Sequence, residues 1–86
     1  MSLERDKKEF TLIYERENDA LFRFCLWRVT NREVAIEIAQ EAFTRLWKSM
    51  AEKKIDNPRA LLYVITRRLI IDWYRRHKSL SLDALS

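Results

Sequence analysis

The sequence predicts an all-α fold, a compact bundle of three main helices with room for a short extra helix in a connection. Three observations predict it. The 86 residues contain no glycine and one proline, which disfavours hairpins and glycine-dependent turns and favours long helices with short connections. Apolar residues recur at three- and four-residue spacing along most of the chain. A hydrophobic content of 48%, with three Trp, three Tyr and four Phe, suffices for the one core that a chain of this length can bury.

Residues 1–9 are highly charged and either extend the first helix or fray. From Phe10, the apolar positions Phe10, Ile13, Tyr14, Leu21, Phe24, Trp27 and Val29 mostly keep helical spacing. The polar run Glu15-Arg16-Glu17-Asn18-Asp19 interrupts that stripe for about a turn, with neither Gly nor Pro to break it. One helix over roughly 6–29 is expected, with a bend near Asn18.

Thr30-Asn31 forms the first turn. Thr30-Asn31-Arg32-Glu33 fits a capping box, in which a Thr hydroxyl meets the amide three residues on and the Glu reaches back. The second helix has the cleanest periodicity: Val34, Ile38, Ala39, Ala42, Phe43, Leu46, Trp47 and Met50 share one face. Glu37, Gln40, Glu41 and Thr44, spaced i, i+3, i+4, i+7, form a polar stripe away from it. An ordinary solvated face and a docking surface for a basic partner helix both fit that stripe.

A polar connection over 51–56, AEKKID, leads to the third helix. Asn57 is its expected N-cap and Pro58 its first residue, where a missing amide hydrogen costs nothing. At ~100° per residue, Leu61, Leu62, Ile65, Leu69 and Trp73 form the expected core stripe. Tyr63, Ile70 and Tyr74 form a second stripe, open between core packing and ligand contact. The terminal segment 79–86, SLSLDALS, reads as a linker or tail.

Charge is unevenly spread. Residues 1–43 carry seven Lys/Arg against nine Asp/Glu, and residues 44–86 carry ten against four, within a net charge of +4. A basic half points to a polyanion partner. Arg67, Arg68, Arg75, Arg76 and Lys78, with Lys53, Lys54 and Arg59 in or near the preceding connection, interleave with aromatics. Such a surface can hold phosphates and stack on bases; a merely solubilising face is the plainer alternative.

Catalysis is not expected. His77 stands alone in a basic run, Cys25 sits among Phe24, Leu26 and Trp27 as a buried structural thiol, and a chain without glycine has no phosphate-binding Gly loop. No acidic spacing suggests a metal, so neither metal nor cofactor is expected. A lone cysteine rules out an intrachain disulfide and fits a reducing compartment. The charged N-terminus is unlike a signal peptide. No apolar run, Leu69-Ile70-Ile71 included, comes near the ~20 residues of a membrane span.

Three segments resemble a known family. EVAIEIAQEAFTRLW (Glu33–Trp47) is similar to region 2 of bacterial sigma factors, with the pattern acidic-x-Ala-x-acidic-Leu-x-Gln-Glu-x-Phe-x-Arg-x-Trp. PRALLYVITRRLIIDWYRR (Pro58–Arg76) resembles the promoter-recognition helix of the extracytoplasmic-function subgroup, Pro-Arg-x-Trp-Leu-x-x-Ile-Ala-Arg-Asn-x-x-x-Asp-Tyr-x-Arg-Arg. FTLIYERENDALFRFCLWRVTN fits the first helix of the same domain. The resemblance covers about Phe10–Lys78, in the family's order and spacing.

The resemblance implies a region 2 helical domain over 10–78, preceded by a charged segment over 1–9 and followed by the start of an interdomain linker over 79–86. It implies that Glu37, Gln40, Glu41 and Thr44 dock on the β′ clamp helices of core RNA polymerase. It implies contact with the promoter −10 element through Lys53, Lys54, Asn57, Arg59, Arg67, Arg68, Ile71, Asp72, Arg75 and Arg76. The 51–58 connection matches the loop that captures a flipped non-template base. A cytoplasmic location, an anti-sigma factor as a further partner and no stable membrane insertion follow from the same likeness. A full member also has a helix-turn-helix domain for the −35 element, so the chain is expected to be a fragment.

Three positions depart from the pattern. Arg68 replaces a common Asn near the bases, where a guanidinium can read a guanine or grip a phosphate. Leu61 replaces a frequent Trp, and Ile71 a frequent basic residue. Two other function classes stay open on the residues: a sigma-like interaction module that binds polymerase or a regulator without reading promoter DNA, and a membrane-surface helix.

Overall fold

The computed structural model describes the backbone of residues 3–85 and the side chains of residues 3–77. Three helices account for the fold: α1 (Leu3–Val29), α2 (Arg32–Glu52) and α3 (Pro58–Leu85). No strand occurs among the described residues, and every pair of helices is in contact. The all-α three-helix expectation holds.

The charged start of the chain is helical from Leu3. Glu4 and Asp6 lie in its first turn, where carboxylates favour the positive end of the helix dipole. α1 then runs unbroken through the polar stretch 15–19. Its core residues are Leu21, Cys25 and Val29, spaced four apart. Trp27, which the periodicity placed among the apolar positions, is 82% exposed.

The α1–α2 turn differs from the expected capping box. Asn31, not Thr30, is the N-cap: its backbone is extended (φ −142°, ψ 118°) and its Oδ1 accepts the Val34 amide at 3.1 Å. Thr30 instead ends α1. It sits in the left-handed region at φ 52°, and its amide donates to the Leu26 carbonyl at 2.9 Å. That single bond is the left-handed helix stop that glycine usually supplies. The chain has no glycine, so a β-branched residue takes the position at a cost of about 1–2 kcal/mol. The cap register therefore moves one residue on, and Glu33 loses the reciprocal role.

α2 is the central helix. Ala35, Ile38, Ala39, Ala42, Phe43, Leu46 and Met50 are its buried face, close to the periodic set read from sequence. Its helix extends to Glu52, so the connection shrinks to residues 53–57. Asn57 caps α3 as expected, with Oδ1 accepting the Ala60 amide at 3.1 Å.

The core line of α3 is rotated from the expected one. Leu62, Thr66 and Ile70 are buried, while Leu61, Ile65, Leu69 and Trp73 pack partly buried on its flank. The core line thus runs through Thr66, which lies off the expected stripe, and through Ile70 of the second stripe. Thr66 is tolerated at zero exposure because its hydroxyl donates to the Leu62 carbonyl at 2.7 Å, which satisfies the buried oxygen within the helix. The helix continues to Leu85 through the segment read as a linker or tail; the side chains of Lys78 and residues 79–86 lie outside the described residues.

Candidate functional site

α2 turns its core face toward α1 and α3, which leaves Glu37, Gln40, Glu41 and Thr44 exposed on the outside. The stripe is real but divided. Glu37 and Glu41 line a groove of about 590 Å³ shared with Asp72, Arg75 and Arg76 of α3. Gln40 and Thr44 border the opposite groove, between α1 and α2, whose walls are Phe10, Tyr14, Phe43 and Trp47. Those four rings interlock, with Phe10 5.4 Å from Trp47 and Tyr14 4.8 Å from Phe43 between centroids. Within the stripe, the Thr44 hydroxyl donates to the Gln40 carbonyl at 3.0 Å. Glu41 pairs with Arg45 at 2.8 Å, both about half exposed, a surface pair that contributes well under ~1 kcal/mol.

The basic residues of α3 divide in the same way. Arg68 borders α2 beside Arg45 and Lys48. Arg67 leans toward α1, its guanidinium carbon 6.0 Å from the centroid of Phe24. Ile71, Asp72, Arg75 and Arg76 are exposed between these flanks. Lys53 and Lys54 are exposed in the connection before α3. Arg59 and Arg75 are separated by sixteen residues of helix, roughly 24 Å at the helical rise. The candidate cations thus form a track along α3 and not a single cluster.

Two candidates have structural duties. The Asn57 amide oxygen is committed to the helix cap. Arg59 joins α3 to α1: its Nε donates to Glu17 Oε2 at 3.0 Å, and the Tyr63 hydroxyl donates to Glu17 Oε1 at 3.3 Å. This explains the polar interruption in the first helix, because Glu17 faces α3 in place of an apolar residue. The Tyr63 pKa is raised, first by burial and then by the Glu17 carboxylate that accepts its proton. Its ring meets Phe24 edge-on at 5.2 Å. So Tyr63 packs on the α1 side and Ile70 in the core, whereas Tyr74 is 43% exposed against Trp73.

Cys25 is fully buried and its thiol is pushed up to about 11 by burial, against the lowering effect of Arg28. That environment suppresses the thiolate a nucleophile needs. His77 stacks on Trp73 at 4.4 Å, with Nδ1 2.9 Å from the Trp73 carbonyl. No group of His, Cys, Asp and Glu among the described residues could hold a metal ion. No described helix is long and apolar enough to cross a membrane.

The family model for Sigma-70 region 2 matches residues 13–80, most of the chain. The chain belongs to the sigma-70 region 2 family. Membership implies a sigma-factor role in transcription initiation, in polymerase binding and promoter −10 recognition. No curated protein and no solved structure matches the chain. The match spans the whole of α2 and the described basic track of α3, so both candidate surfaces of this region 2 domain lie inside it. Sequence reasoning missed the α1 contribution: Glu17 as the partner of Arg59, and the exposed Trp27 beside Arg28. The polar break at 15–19 was the signal for the first; nothing in periodicity alone marked the second.

Proposed function

We propose that this region 2 domain serves an extracytoplasmic-function sigma factor of the cytoplasm, docking on the β′ clamp helices and opening the promoter −10 element. The family match over both α2 and α3 carries the reading. The exposed Glu37, Gln40, Glu41 and Thr44 supply an acidic, hydrogen-bonding surface for a basic helix. On α3, Arg67, Arg68, Arg75 and Arg76 grip the backbone as a guanidinium track. The 53–57 connection, with Lys53 and Lys54 exposed, captures an unpaired base, and that contact offsets an unstacking cost of a few kcal/mol. Ile71 and Asp72 lie between the arginines and meet the same stretch of DNA. No covalent step is involved. The likeness also brings an anti-sigma factor as a competing partner.

Reconstitution with core polymerase tests both halves. Glu41→Arg abolishes capture of core while the helical signal in circular dichroism is kept; undiminished capture refutes the docking surface. Arg68→Ala in the reconstituted holoenzyme weakens −10 binding and lowers the slope of log K against log salt by about 0.9 per lost phosphate contact. Polymerase binding with no −10 footprint favours the sigma-like interaction module.

A further inference from the structure

We infer that the last turn of α1 carries a single-stranded DNA contact, with Arg28 and Arg67 holding a phosphate and Trp27 stacking on an unpaired base. The inference rests on the proposed DNA role of α3 and extends it to a second helix. Glu17 meets Arg59 and Tyr63, and Phe24 meets Tyr63 and Arg67. The two helices therefore advance side by side in the same direction. That places Trp27, one turn beyond Phe24, level with the turn of α3 that starts at Arg67.

Two guanidiniums converge on the Phe24 ring. The Arg28 carbon lies 3.5 Å from its centroid and the Arg67 carbon 6.0 Å. Arg28 is also fixed by Nη1, which donates to the Phe24 carbonyl at 3.1 Å. No carboxylate among the described residues pairs with either arginine, whereas Arg59 farther along the seam is paired with Glu17. Both guanidiniums thus lie within 6.0 Å of one ring without a carboxylate partner, and a guanidinium fork suits an oxyanion, of which a phosphodiester is the one that a sigma domain meets in series.

Trp27 supplies the second half. It is the most exposed of the large hydrophobic side chains at 82%, although tryptophan is buried on average in folded domains. On the helical wheel it lies roughly 60° from Phe24, turned away from the core. An indole in that position gains by stacking, and in nucleic acid it is an unpaired base that offers it a free face. Duplex bases are already stacked, so the surface selects the opened strand.

The test titrates the 86-residue chain at low salt with a short oligothymidylate, and with a duplex of equal length, following tryptophan emission. The single strand quenches the wild-type emission. Trp27→Ala lowers single-strand affinity roughly fivefold or more with unchanged circular dichroism. Arg28→Ala flattens the salt slope by about 0.7. Wild-type affinity in Trp27→Ala overturns the stacking contact. Wild-type affinity and slope in both variants, with Arg68→Ala weakened, overturns the inference and leaves the α3 reading standing. Loss in both variants with Arg68→Ala unchanged supports the inference and removes Arg68 from the contact set. Absence of salt-dependent binding to the single strand overturns the inference, while the −10 footprint of the reconstituted holoenzyme decides the α3 reading separately.

Discussion

Replacing Glu17 with alanine probes the seam between α1 and α3. The carboxylate is 12% exposed and accepts from Arg59 at 3.0 Å and from Tyr63 at 3.3 Å. A hydrogen bond to a charged acceptor contributes about 1.5 kcal/mol. The Arg59 side chain is 66% exposed, so solvent screening reduces the ion pair to roughly 0.5 kcal/mol. Glu17→Ala is therefore expected to cost about 2 kcal/mol, which in a domain of this size lowers Tm by roughly 8–16 °C. A double-mutant cycle with Tyr63→Phe should return a coupling near 1 kcal/mol, larger than the cycle with Arg59→Ala. The Tyr63 pKa, followed by ultraviolet titration, falls toward the ordinary tyrosine value once the carboxylate is gone. Released Arg59 should also steepen the salt dependence of DNA binding. A Tm drop below about 2 °C, with no coupling in either cycle, would show that Glu17 does not join the helices.

Two further outcomes follow from local geometry. The Cys25 thiol is raised from 9.0 to about 11 in the folded chain, so between these values the unfolded state releases a proton that the folded state keeps. This contribution to stability is fully present below about pH 9, falls as pH rises and is lost through pH 11, in total about 3 kcal/mol; urea unfolding across that range should show a flatter decline in Cys25→Ala, and an identical decline rules the thiol out as its cause. Thr30→Gly should raise stability by about 1 kcal/mol, since the left-handed position penalises a β-branched residue; a lower urea midpoint would mean that the Thr30 hydroxyl bond to the Val29 carbonyl, at 2.7 Å, outweighs the backbone cost.

Where apolar period and packing coincide, the fold was legible. α2 is the clearest case, because a central helix buries a broad face: the expected Ile38, Ala39, Ala42, Phe43, Leu46 and Met50 are buried, with Ala35 added and Val34 and Trp47 at the margin. Errors arose where one polar atom is satisfied locally. Thr66 reads as surface, yet its hydroxyl bonds the carbonyl one turn back and the methyl joins the core. That shifts the core line of α3 toward Ile70. At the first turn, the absence of glycine hid the helix stop. Thr30 looks like a cap because hydroxyl residues usually are caps, and its left-handed backbone is visible only in three dimensions.

The candidate site was legible as two sets of residues but not as surfaces. Summing charge along the chain separates an acidic half from a basic one. The fold brings them together: Glu37 and Glu41 share a groove with Arg75 and Arg76. A charge reversal at Glu41 thus alters the field at two arginines of α3 as well as any docking contact. Loss of core binding in that variant bears on docking by itself, because it is read without DNA. Any accompanying change in promoter binding does not separate the two surfaces. Gln40 and Thr44 lie on the other flank, against the aromatic groove of α1 and α2, remote from those arginines. On the proposed reading the two flanks of one stripe therefore report on different things: the glutamates on the coupling of the proposed polymerase and DNA faces, Gln40 and Thr44 on the proposed docking alone.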